Sequence, residues 1–159
     1  MSLDSLYGNL NYYSSQTSYW ATSAAQYGQQ IAGIDSDLAD RRRQLQLAQQ
    51  VQSKCGELSG LNDQVTQRLQ QLGQDIDSAL RESSATNACK NLNAANGGHI
   101  ASAVSQAGSL VARLQSEIDS LNARRATAVE GQNYSSRRSA MFSRYASSTR
   151  DAIANYHED

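Results

Sequence analysis

The side chains best suited to chemistry in this 159-residue chain are its ten aromatic rings, and they stand in two groups. Tyr7, Tyr12, Tyr13, Tyr19, Trp20 and Tyr27 lie near the front, and Tyr134, Phe142, Tyr145 and Tyr156 near the back. Tyrosine and tryptophan bury much area with few rotatable bonds, so the chemistry they suggest is recognition of another protein surface. Catalytic arrangements are missing from the sequence. His99 and His157 stand in no metal-ligand spacing, and Gly97-Gly98-His99 lacks the Lys-Ser/Thr that completes a phosphate loop. Glu117 and Asp119, two apart, cannot share a helix face, and no G-x-S-x-G elbow occurs. The expectation is a protein that is not an enzyme, with no cofactor, no metal and no small-molecule substrate.

The elements that must position those rings are helices. From Leu3 to Ala48 one stripe recurs at alternating steps of three and four. It reads Leu3, Leu6, Leu10, Tyr13, Thr17, Trp20, Ala24, Tyr27, Ile31, Ile34, Leu38, Arg41, Leu45, Ala48. Only Thr17 and Arg41 are polar, and an arginine stem can lie along an apolar seam. A seven-residue repeat of this length predicts helices that pack lengthwise and supercoil. The chain has no proline, which fits a few long helices with little connecting chain.

A second apolar stripe reads Val51, Cys55, Leu58, Asn62, Val65, Leu69, Leu72, Ile76, Ala79. It joins the first through an extra step of three, which would overwind the seam locally. Gly56 and Gly60 follow, so the sequence leaves open a kink or an extra turn there. Residues 83–98, rich in Asn and Ser and ending in Gly97-Gly98, read as a loop. A third stripe then runs Ile100, Val104, Ala107, Val111, Leu114, Ile118, Leu121, Arg125, Ala128, and resumes with Phe142, Tyr145, Thr149, Ala152 and Tyr156.

The expected fold is therefore all-α, a long antiparallel helical hairpin or coiled coil. Residues 1–159 would form one elongated domain, with arm one at about 3–82, the loop at 83–98 and arm two at about 99–157. Folding about residue ~90 pairs positions whose numbers add to roughly 180, since both arms rise equally. That register sets Leu69 near Val111, Ile34 near Tyr145 and Tyr27 near Ile153. It leaves Leu3 to Trp20 barely met by the second arm, so this segment would be open to a partner. The partner-binding residues expected on this basis are Leu6, Leu10, Tyr12, Tyr13, Tyr19, Trp20, Tyr27, Phe142, Tyr145 and Tyr156.

Composition narrows the partners. With 14 basic and 15 acidic residues, the chain shows no basic stripe of the kind nucleic acid demands. No apolar run approaches the ~18–20 residues of a membrane span. The start Met1-Ser2-Leu3-Asp4 has no secretory-signal pattern. Arg41-Arg42-Arg43 could dock an anionic surface, level with Arg137 and Arg138 in the expected register. Asp35, Asp37 and Asp40 precede it, however, and Asp37 stands four residues before Arg41, so a solvated, paired face is favoured over membrane binding. Cys55 and Cys89 bracket a helix of ~40 Å and are expected to remain unbridged.

The layout also carries a resemblance. A Tyr-rich amphipathic start (Leu10-Asn11-Tyr12-Tyr13), a long Gln/Arg/Ala helix, a polar mid-chain segment and a second long helix resemble the small helical partners of LXG toxins in bacterial type VII secretion. Those partners are related in architecture to WXG-type, ESX-like hairpins. Here Trp20 is followed by Ala21-Thr22, and the tail Tyr156-His157-Glu158-Asp159 is one residue short of a Y-x-x-x-D/E spacing. The resemblance implies an adaptor or targeting factor that pairs with the helical N-terminal region of a larger secreted protein. It would reside in the cytoplasm and be exported, if at all, with that partner and without a cleaved signal. The competing reading is a self-associating coiled-coil scaffold, in which the partner is a second copy.

Overall fold

A computed structural model describes residues 2–80 and 84–156, and among these the chain is an all-α helical hairpin. Helix α1 runs Leu3–Leu80 and helix α2 runs Ser84–Ala154. Among the described residues no helix is long and apolar enough to cross a membrane. The tail residues 157–159, on which the export spacing was read, lie outside the described residues.

Ser2 caps α1: its hydroxyl accepts the Ser5 N–H at 3.3 Å, and Asp4 adds a favourable negative charge to the first turn. The helix then continues without interruption through Gly56 and Gly60, so there is neither a break nor an extra reversal there. Each glycine costs about 1 kcal/mol in propensity, too little to break a helix supported along its length by a packed neighbour.

The loop expected at 83–98 is also corrected, because α2 begins at Ser84 and carries Gly97 and Gly98 in its interior. The hairpin reverses near residue 80, outside the expected position, and the pairing register moves with it. Opposed positions add to about 158–160 rather than 180, as in Asn62 with Gly97 and Gln52 with Gly108. Asp77 fastens this end. Its carboxylate accepts the Ala85 N–H at 3.0 Å and the Thr86 N–H at 2.9 Å, two donors that the first turn of α2 leaves without helical partners. Close by, Gly73 is buried, and a Cβ there would lie 3.1 Å from the Thr86 Cα, a contact tight enough that the backbones would have to part by a few tenths of an ångström.

Hydrogen bonding from the Thr86 side chain, with the two backbone N–H groups, holds the Asp77 carboxyl below its usual value of 3.8 against the opposing effect of burial. A depressed folded pKa stabilises the fold above the unfolded pKa, and that contribution is lost as pH falls through the folded value. We therefore expect Asp77→Asn to lower the melting temperature at pH 7. Below about pH 4 the carboxyl of the unfolded chain takes up its proton before the folded one does, so the gap should narrow. Thermal melts across pH 7 to 2 that show a constant gap would contradict this role.

The chain divides into two compact units, Met1–Ala39 with Asp119–Asp159, and Asp40–Ile118. In the first, Leu6, Ile34, Leu38, Leu121, Ala128 and Ala146 are buried along the seam, and Arg125 forms a two-point ion pair with Asp35 at 2.6 and 3.2 Å. In the second, Ala48, Ala107, Leu114 and Ile118 are buried. Arg41 there pairs with Glu117 at 3.1 Å and bonds Gln44, instead of standing level with Arg137 and Arg138. Cys55 and Cys89 are free thiols.

All fourteen residues of the Leu3–Ala48 stripe are buried or half-buried, as are Ile100 to Ala128 of the third stripe. The second stripe behaves differently. Beyond Ala48 the seam keeps its phase and is occupied by Cys55, Ser59, Asn62, Thr66, Leu69 and Gly73, while Val51, Leu58, Val65 and Leu72 are exposed.

Candidate protein-docking site

Seven aromatic residues of the first unit form two clusters that bridge α1 and α2. Size matching between the helices sets them in place. Along α2 the stretch Gly131–Ser139 offers small residues at its seam positions, and α1 sets the Tyr27 ring, Ser23 and Thr17 opposite them. Tyr27 lies directly over Gly131, where a Cβ would come within 2.5–2.9 Å of its ring atoms. Ser135, 1% exposed, shares a hydrogen bond of 3.1 Å with Ser23, and the Ser139 hydroxyl donates to the Thr17 carbonyl at 3.2 Å. These buried hydroxyls satisfy their own polarity while holding the backbones close.

In the first cluster Tyr13 packs against Tyr145 and Phe142 at centroid distances of 5.5 and 6.3 Å. Tyr12 meets Tyr13 and Phe142 edge-on at 5.6 and 6.2 Å. In the second, Trp20 lies between Tyr19 at 5.1 Å and Tyr134 at 5.5 Å, both edge-to-face. Arg138 closes this cluster, donating to the Tyr134 hydroxyl at 3.0 Å and standing 5.4 Å from its ring centroid. Such ring pairs contribute ~0.5–1.5 kcal/mol beyond area burial and fix ring orientation. The Trp20 Nε1–H is buried with no acceptor among the described residues.

The expected partner-binding residues therefore divide. Leu6 is buried, and Leu10, Tyr13, Trp20, Tyr27, Phe142 and Tyr156 are half-buried. Leu6 and Tyr27 serve the seam. The segment Leu3 to Trp20 is thus met by α2 along its length, because the reversal near residue 80 makes the arms equal. Tyr12, Tyr19 and Tyr145 remain exposed, Tyr19 by 62%, although each touches the buried part of a cluster. Two further exposed rings, Tyr7 and Tyr134, were not among the expected site residues. Tyr134 was legible in part: it stands four residues before Arg138, a helical spacing that suits ring–guanidinium contact.

The result is a partly solvated aromatic surface whose outer rings are held by inner ones. It offers apolar faces, hydroxyl donors and one guanidinium. Compared with family models, curated proteins and solved structures, the chain matches none.

Proposed function

We propose that the protein is a non-enzymatic helical adaptor or targeting factor that pairs with the helical N-terminal region of a larger secreted protein. On this reading it belongs to a type VII secretion pathway and leaves the cell, if at all, with its partner. The observation that carries the reading is the exposure of Tyr12, Tyr19, Tyr134 and Tyr145 on rings already ordered by Tyr13, Trp20 and Phe142. Binding energy is commonly concentrated in such anchored aromatics, because little side-chain entropy remains to be lost on association. The resemblance in layout to LXG-toxin partners supplies the class of partner.

The test is co-expression with the proteins encoded beside it, followed by affinity measurement on any complex. Tyr19→Ala is expected to weaken the complex by about thirtyfold, the scale of an interface hot spot, with helicity and melting temperature unchanged. An unaltered affinity for that variant, or neighbours that never form a complex, would sink the adaptor reading.

A further inference from the structure

The second unit, Asp40–Ile118, has its hydrophobicity on the wrong side for a hairpin that stands alone. Its α1 seam from Cys55 to Gly73 holds Ser59, Asn62 and Thr66 with one large apolar side chain, Leu69. Across from it, Asn93 keeps a buried Nδ2 without a partner among the described residues. Meanwhile Leu47, Val51, Leu58, Leu61, Val65 and Leu72 are each more than half exposed. Those six residues have a heptad order of their own. Val51, Leu58, Val65 and Leu72 recur every seven positions, and Leu47 and Leu61 stand on the companion row with Lys54, Arg68 and Asp75. This is the pattern of a second coiled-coil seam, laid on α1 beside the one that α2 fills.

We infer that this seam is covered by the same segment of a second copy of the chain, running antiparallel. Charge decides both the occupant and the direction. A parallel copy would set Lys54 against Lys54 and Arg68 against Arg68 within an apolar row. An antiparallel copy in which Leu61 layers against Val65 of its mate brings Arg68 beside Leu58 and Glu57 of the mate. In the same register Lys54, which holds Glu57 of its own helix at 2.8 Å, lies against Leu72, within one turn of Asp75. The two-fold repeats each pair, giving four opposite-charge contacts and a central block of Leu61 and Val65. Sliding by one heptad moves Arg68 off Glu57: one direction sets Arg68 against Val51, three residues from Lys54, and the other sets Leu58 against Asp75, whereas this register confines its apolar–acid layer, Val51 against Asp75, to the two ends. Each long cation can lay its stem over the opposing leucine while its head reaches the carboxylate.

The size is sufficient. Leu47 to Ile76 spans ~44 Å of helix. A helix contact of that length and ~10 Å width removes on the order of 1,000 Å² from the two copies together, the lower bound for a specific interface. This surface lies apart in the chain from the tyrosines of the adaptor reading, and either can fail without the other.

Sedimentation equilibrium of the full chain from about 1 to 200 µM tests the inference. A monomer–dimer equilibrium is expected. Leu61→Glu, at an exposed position, should abolish the dimer with helicity intact. Arg68→Glu should weaken dimerisation by tenfold or more, and adding Glu57→Arg to it should restore the wild-type constant. A chain that stays monomeric throughout overturns the inference, and so does a dimer indifferent to Leu61→Glu. Failure of the charge-swapped double variant to recover overturns the antiparallel register. Tyr19→Ala should leave the dimer constant unchanged.

Discussion

Leu114→Ala is expected to lower the unfolding free energy by about 2–5 kcal/mol, as deletion of a buried leucine does through lost transfer energy and the cavity left behind. Leu114 is 3% exposed on α2, in the unit that also holds Ala107 and Ile118. The control is Leu92→Ala. It removes the same atoms from the same helix and unit, but at a position 56% exposed, where the change should stay within about 0.5 kcal/mol. Denaturant melts read by circular dichroism compare the two directly. Equal losses for the pair would mean that the seam does not have the phase described. The contrast is informative because in this unit hydrophobicity alone does not say which leucines are inside.

Gly131→Ala is expected to destabilise, although alanine is the better helix former by about 1 kcal/mol. The new methyl would meet the Tyr27 ring at 2.5–2.9 Å, and overpacking of that kind costs about 1–3 kcal/mol. The decisive measurement is a change of sign. With Tyr27→Ala already in place, the clash is gone and Gly131→Ala should stabilise by roughly 0.5–1 kcal/mol. Tyr27→Ala by itself should be costly, since it empties the space above Gly131. A double-mutant cycle with no coupling between the positions would show that the ring does not rest on this glycine. The pair also reports on the register, because the expected alternative would have set Tyr27 near Ile153.

Most of the helical content was legible in the residues. The alternation of threes and fours from Leu3 to Ala48 and from Ile100 to Ala128 marks a face that is buried or half-buried throughout. The absence of proline agrees with two helices of 78 and 71 residues. The turn was less legible. Residues 84–98 have the composition of a loop, with asparagines, serines and Gly97-Gly98, yet they are helical. Local propensity there is weak and amounts to about 1 kcal/mol per glycine. The Asp77 cap on the Ala85 and Thr86 N–H groups starts the helix earlier than its composition suggests.

The second stripe departs from the buried seam for a related reason. Apolar residues after Ala48 shift by one position, and a hydrophobicity pattern follows that shift. A continuous helix does not, because its phase is carried forward from the packed turns before it. Val51, Leu58, Val65 and Leu72 therefore turn outward, and Cys55, Ser59, Asn62 and Thr66 take the seam.

The site divides in the same way. Which aromatic residues exist, and that they gather in two groups joined by a hairpin, follows from the residues alone. Which of them remain exposed was decided by the register. Placing the reversal near residue 80 matched Tyr27 to Gly131 and Trp20 to Tyr134, filling with α2 the segment that had been expected to stand open. The heptad repeat determined that this chain is a helical hairpin with an aromatic end, since a period of three and four is a property of the chain itself. Its register, and with it the choice between buried and available rings, was determined only in the tertiary structure. Antiparallel helices can slide by whole heptads without altering that period, and only the fit of large side chains over small ones, closed by a cap at the turn, distinguishes one alignment from the next.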